Sequence, residues 1–272
     1  MTAPIGQFVD VGNGWKLHYH AIGAGPPVVF LHGSGPGASG WSNFHQNVAA
    51  INAAGFQAIL CDSLGYGLSD KPTDVDYTLE VMSSAVVGLL DALGHAHVTL
   101  VGNSQGGALA IRIALDHPAR VGRLVLMAPG GLEERETFMQ MRGIRSMMRC
   151  LYGPEGLTRA GMKMLFENQL FDASLVSEAL VDERTEAALA QPLHVFKSMR
   201  VDNLEHELGR LACPVLGLWG MDDQFCPVSG ATKLAERVPN VRVTLFNRCG
   251  HWVMVEHAAV FDRLCVDFLL HG

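Results

Sequence analysis

The sequence predicts an α/β fold: a mostly parallel central sheet flanked by helices, with a helical cap inserted after the sixth strand. Three observations carry this expectation. Short apolar runs alternate with helical stretches through residues 27–127, and the alternation resumes at Pro214. Such alternation with short connections implies parallel strands with helices on both faces. Between Gly131 and Leu208 there is no convincing apolar strand, only helical stretches rich in Met, Phe and Leu. Finally, the apolar run His97–Val101 stops at Gly102-Asn-Ser-Gln-Gly106 and a helical run follows from Ala108 to Leu115. That is the strand–turn–helix setting in which a G-x-S-x-G motif exposes a nucleophilic serine. Side chains at 102 and 106 would collide with neighbouring chain in so tight a turn.

In chain order, Phe8–Val11 and Trp15–His20 flank Gly12-Asn-Gly14 and predict an opening β-hairpin. Pro27–Leu31 is a continuous apolar strand of the kind buried on both faces. It runs into the glycine-rich loop His32-Gly-Ser-Gly-Pro-Gly37. A helix is expected over Trp41–Ala53, then a strand over Phe56–Cys61. Thr78 is a plausible N-cap for a helix over Leu79–Leu93. His117-Pro118 ends the helix after Ser104, and Val121–Met127 is the sixth strand. After the helical insertion come strands over Pro214–Gly220 and Val241–Phe246, with helices near 229–237 and 258–270. Domain bounds follow: a core of 1–130 and 209–272, and a cap of 131–208. Most cap methionines are expected in helix core, while some face whatever the cap covers.

The 272-residue length suits one large core. A formal charge of −7 leaves no electrostatic footprint for nucleic acid, and an anionic substrate would need a local cation. The six cysteines form no C-x-x-C pair and read as reduced core residues, consistent with a cytoplasmic setting. Met1–Phe8 has neither the basic nor the apolar region of a signal peptide. No apolar run reaches the ~20 residues of a membrane span.

A serine hydroxyl needs a base to take its proton, and the base works better when a third group orients it. In this architecture the candidates lie just after strands, in the order Ser, acid, His. His251 sits in the Gly-His loop after the strand ending at Phe246. The acid is Asp222 or Asp223, and Asp223 is preferred because it stands in D-x-x-x-P with Pro227. His18 and His20 lie on an N-terminal strand, and His95, His117 and His257 at helix ends. An oxyanion hole needs two backbone N–H donors; Gln105 supplies one and Ser34, in the glycine-rich loop, the other. That loop is no phosphate cradle of the P-loop type, because no Lys-Ser or Lys-Thr follows it.

With these residues in view, the whole chain resembles the α/β-hydrolase fold. More narrowly, it is similar to the meta-cleavage product hydrolases of aromatic degradation. The resemblance rests on His32-Gly-Ser-Gly-Pro-Gly-Ala-Ser-Gly-Trp-Ser-Asn-Phe44, on Gly102-Asn-Ser-Gln-Gly-Gly107, on Arg184 eight residues before Pro192, and on Cys249-Gly-His-Trp252. It implies cleavage of the C–C bond of a 2-hydroxy-6-oxo-6-substituted-hexa-2,4-dienoate, giving 2-hydroxypenta-2,4-dienoate and a carboxylic acid. It also implies that Arg184 grips the C1 carboxylate and 2-oxo group, with Asn43, Asn103 and Trp252 around the dienoate. No metal or organic cofactor is implied, and the partners are a small dienoate and other copies of the chain in a homo-oligomer. Two departures stand out. Gln105 replaces an expected Met or Leu and could change the polarity near the scissile bond, and Leu64 replaces a common Pro.

Two other functions fit the same triad: a carboxylesterase or haloperoxidase-like hydrolase, and a ligand receptor that turns over slowly. A haloalkane dehalogenase does not fit, since its nucleophile is Asp where this chain has Ser104. The C6 substituent is left open by the sequence.

Overall fold

The computed structural model describes residues 4–272; Met1–Ala3, part of the segment read above for a signal peptide, lie outside the described residues. The strands are β1 (Gln7–Asp10), β2 (Lys16–Ile22), β3 (Pro27–Leu31), β4 (Gln57–Cys61), β5 (Val98–Asn103), β6 (Val121–Met127), β7 (Val215–Gly220) and β8 (Val241–Phe246). They form one sheet in the order β1-β2-β4-β3-β5-β6-β7-β8. The hairpin β1–β2 and the β2–β4 pair are antiparallel, and every later pair is parallel. All six residues of β5 and of β7 are buried, as helices on both faces require.

The helices are α1 (Gly40–Phe44), α2 (Val48–Ala53), α3 (Leu79–Ala92), α4 (Gln105–Asp116), α5 (Arg135–Gln140), α6 (Arg142–Tyr152), α7 (Arg159–Glu167), α8 (Glu178–Leu189), α9 (Leu193–Lys197), α10 (Ser229–Arg237), α11 (Val253–Glu256) and α12 (Ala258–His271). Thr78 caps α3 by accepting from the Val81 N–H. The helix expected over 41–53 is instead α1 and α2 joined by a 3₁₀ turn at His45–Asn47. The physical reason lies at Asn47. Its buried amide donates to Met254 O (3.2 Å) and Asp262 Oδ1 (2.8 Å), so the chain bends to satisfy it.

Helices α5–α9 make up the large insertion after β6, and no strand interrupts them. The insertion shares the molecule's core. Cys150, Met162, Leu165, Phe166, Val181 and Ala188 pack in one cluster with Phe30, Phe44, Leu60 and Phe261 on one side of the sheet. Val195, Leu204 and Leu208 join the cluster on the other side, with α3 and α4. All six cysteines are free and buried. No helix among the described residues is long and apolar enough to cross a membrane.

Candidate active site

Ser104 sits between the end of β5 and the start of α4, in a backbone conformation (φ 57°, ψ −122°) that a non-glycine residue adopts only under constraint. Hydrogen bonds impose it. The Ser104 N–H donates to Met127 O, and its carbonyl accepts from the N–H groups of Gly107, Ala108 and Gly130 at 3.0, 3.1 and 2.8 Å. The two motif glycines are demanded by space. A Cβ at 102 would lie 2.4 Å from Gly106 O, and one at 106 would lie 2.1 Å from Leu31 O.

The loops after β7 and β8 meet this turn. His251 Nδ1 donates to Asp223 Oδ2 at 2.7 Å, and both side chains are buried. Asp223 Oδ1 accepts from the N–H groups of Phe225 (2.7 Å) and Cys226 (2.9 Å), which fixes its carboxylate plane. Asp222 does not reach the histidine; its N–H donates to Cys249 O and it lines a separate surface cavity. The Phe225 ring stacks on His251 with centroids 5.1 Å apart. The backbone of His251 is held from two sides: its N–H donates to Gln169 O (2.7 Å) and its carbonyl accepts from Asn103 Nδ2 (3.4 Å). Ser104 and His251 line one cavity, although the Ser104 hydroxyl forms no hydrogen bond to the ring in this arrangement.

Ser34 lines the same cavity. The N–H groups of Ser34 and Gln105 have no hydrogen-bond partner among the described residues, and Gln105 opens α4, where helix N–H groups are free. The Gln105 side chain does not approach the cavity. Its Nε2 donates to Met82 Sδ (3.3 Å) toward α3, so the side chain does not alter the polarity of the cavity wall. The loop carrying Ser34 is braced by the Tyr66 hydroxyl, which donates to Ser34 O (3.3 Å). It is braced also by His32, whose Nδ1 donates to Gly33 O and whose Nε2 accepts from the Ser63 N–H. That pair of bonds selects the neutral ring, and burial lowers the His32 pKa in the same sense.

Arg184, on α8, reaches from the insertion to this loop. It is 2 % exposed and lies on the buried face formed with Val181 and Ala188. Its guanidinium donates to Pro36 O (3.4 and 3.3 Å), Ser42 Oγ (3.1 Å) and Asn43 Oδ1 (3.1 Å). It lies over the rings of Phe166 and Trp252, 5.3 and 5.8 Å from their centroids. No carboxylate pairs with it among the described residues, and burial pulls its pKa down to about 10. By contrast, Arg142, Arg145 and Arg149 on α6 are exposed. Gln191 ties the insertion to the same loop, accepting from the Gly37 N–H and donating to Gly65 O.

Thus Ser34, Asn43, Asn103, Ser104, Arg184, His251 and Trp252 line one cavity, with Gly33, Gly35, Ile144, Met147, Gln169 and Phe225 completing it. Its room, about 30 Å3, is that of roughly two waters. Met147 is the methionine facing it, while Met162 is core and Met164 faces outward. Among the described residues, no group of three or more His, Cys, Asp or Glu is placed to hold a metal ion. Sequence reasoning missed Gln169, Phe225, Ile144 and Gln191. Only Phe225 carried a signal, two residues after the acid in the same loop.

The family model described as alpha/beta hydrolase fold matches residues 26–258. A 2-hydroxy-6-oxononadienedioate/2-hydroxy-6-oxononatrienedioate hydrolase of Comamonas testosteroni is 37% identical over 269 residues, 96% of this chain and 93% of that one. The chain belongs to the meta-cleavage product hydrolases of the α/β-hydrolase fold family. It is a hydrolase. A 2-hydroxy-6-oxo-6-phenylhexa-2,4-dienoate hydrolase of Burkholderia cepacia is 36% identical over 96% of this chain and 93% of its own length. Among solved structures, a meta-cleavage product hydrolase from Pseudomonas fluorescens superposes with a TM-score of 0.87 at 30% identity, covering 97% of each chain.

Proposed function

We propose that this chain hydrolyses the C5–C6 bond of a 2-hydroxy-6-oxo-6-substituted-hexa-2,4-dienoate, with Ser104 as nucleophile, His251 as base and Asp223 as its orienting acid. The observation that carries this reading is Arg184, a buried guanidinium without a counter-ion in the cavity of a serine nucleophile. Burying an unpaired charge is costly, and a ligand carboxylate supplies the missing partner through paired, charge-assisted hydrogen bonds. An ordinary ester offers such a cation no negative charge to pair with. Asn103 Oδ1, buried and without a partner, adds an acceptor for the 2-hydroxyl.

The chemistry follows from these positions. C–C hydrolysis is hard because the electron pair of the broken bond must be left on carbon. His251 takes the 2-hydroxyl proton and gives it to C5, which yields the 2,6-dioxo tautomer and leaves the imidazole neutral again. Ser104 Oγ, its proton passing to His251, then bonds to C6, and the oxyanion rests on the N–H groups of Ser34 and Gln105. When C5–C6 breaks, the electron pair moves through C4 and C3 onto the 2-oxygen as a dienolate, held by Arg184 at the carboxylate end. Protonation gives 2-hydroxypenta-2,4-dienoate. Water then cleaves the acyl–Ser104 ester, releasing the acid that carries the C6 substituent.

A cavity with room for roughly two waters admits a dienoate only when its walls part. We assign that motion to residues 131–208 as a cap over the core of 1–130 and 209–272. A cytoplasmic setting, supported by the six free, buried cysteines, and a homo-oligomer, supported by the family resemblance and readable by light scattering, belong to the same proposal. The test is disappearance of the yellow colour of dienoates bearing methyl, phenyl and carboxyethyl groups on C6. Wild-type protein should turn over at least one, and Ser104→Ala should lose about 10⁴-fold or more in kcat. Activity on p-nitrophenyl esters alone would favour the carboxylesterase reading, and full activity in Ser104→Ala would sink both.

A further inference from the structure

One polar group in the cavity serves neither the triad nor the anion end. Gln169 follows α7, is 5% exposed, and lines the cavity with Ser104 and His251. Its backbone is fixed, since its carbonyl accepts from the His251 N–H at 2.7 Å. Its side-chain Oε1 is buried and has no hydrogen-bond partner among the described residues. Leaving such an acceptor unpaired costs stability, and leucine or methionine would fill the space without that cost. A ligand that brings a donor resolves the mismatch.

The neighbours say which part of the ligand that is. Asn168 Nδ2 donates to Ser146 Oγ (3.3 Å), which sets this turn against the stretch of α6 that carries Ile144 and Met147. Together with Phe225 these form the apolar part of the cavity wall. The other end is already furnished by Arg184, Ser42 and Asn43. A dienoate anchored there by its carboxylate, with C6 at Ser104, sends its C6 substituent toward the remaining wall. That wall has no buried cation, since Arg142, Arg145 and Arg149 are exposed, so a second carboxylate would be desolvated unpaired. A neutral hydroxyl would instead donate to Oε1.

We infer that Gln169 is a specificity-determining residue that reads a hydroxyl group on the C6 substituent. The inference rests on the proposed dienoate hydrolysis and sharpens it: the preferred substrates carry a hydroxylated aryl group rather than plain phenyl, alkyl or carboxyalkyl.

The experiment measures kcat/KM for dienoates with phenyl, 2-, 3- and 4-hydroxyphenyl, and carboxyethyl groups on C6, in wild type, Gln169→Leu and Gln169→Met. The best hydroxyphenyl isomer should exceed phenyl by about tenfold in wild type, the value of one buried hydrogen bond. In both variants that ratio should fall to near one, with the hydroxyphenyl substrates losing about tenfold more than phenyl. Thermal melts establish folding, and the unbranched Met variant serves if Leu does not fold. The inference is overturned if wild type prefers phenyl or carboxyethyl, or if the variants slow every substrate equally, which would mean that Gln169 only supports the His251 loop. If wild type hydrolyses esters but no dienoate, the underlying functional reading fails instead.

Discussion

Replacing Arg184 with glutamine removes the buried cation but keeps an amide able to reach one of its acceptors. Two consequences of opposite sign follow for stability. A pKa of about 10 against an ordinary 12.5 means that holding the charge inside costs the folded state about 3 kcal/mol at neutral pH, and the variant recovers this. It also leaves Pro36 O and Asn43 Oδ1 short of donors, at about 1–3 kcal/mol for each one unsatisfied. With one acceptor still reached by the glutamine amide, gain and loss differ by about 2 kcal/mol at most, so the melting temperature should move by less than about 8 °C. Catalysis has no such compensation. Two charge-assisted hydrogen bonds to the substrate carboxylate are worth about 3–6 kcal/mol together, so kcat/KM on dienoates should fall by about 10²–10⁴. The assay pairs dienoate turnover with p-nitrophenyl acetate, which has no carboxylate and should stay within about threefold. Arg184 also grips the loop of Ser34 through Pro36 O. A parallel fall on both substrates would therefore mean that it acts by bracing the oxyanion loop, and would refute its role as an anion partner, as would an unchanged dienoate rate.

Gly106→Ala places a methyl 2.1 Å from Leu31 O, a backbone atom of a central strand; it should destabilise by about 3 kcal/mol or more, read from the denaturation midpoint, and a wild-type midpoint would contradict the packing described. The stability of the whole protein should also depend on acid. Burial keeps His32 and His20 neutral, with pKa values below the ordinary 6.5, so the unfolded chain takes up protons that the folded chain does not. Stability is therefore undiminished by these groups above about pH 6.5 and is lost as pH falls below it. Melting temperatures measured between pH 8 and pH 5 should decline over the lower part of that range; a flat or rising profile would rule this out.

The parts of the site legible in the sequence are those where backbone geometry dictates residue type. Gly102 and Gly106 are fixed by contacts with main chain, so the motif around Ser104 marks itself whatever surrounds it. Asp223 and His251 stand at recognisable strand ends, and the sheet delivers their loops to one edge; the contact at 2.7 Å follows from that topology. The insertion obeys no such rule. Arg184 lies on the stripe Val181–Arg184–Ala188, and a lone arginine at helical spacing within an apolar stripe could have been read as a buried cation without the family pattern. Gln169 had no comparable mark. It follows Asn168, the residue that ends α7, and a polar pair at a helix end reads as a cap facing water. What turns it inward is the long-range bond from the His251 N–H, made between segments over eighty residues apart. The same holds for the Gln105 side chain. It opens α4, and its side chain points toward α3, where Nε2 donates to Met82 Sδ. The directions of Gln169 and Gln105 are thus decided by tertiary contacts, while the constrained turn at Ser104 is written in its own glycines.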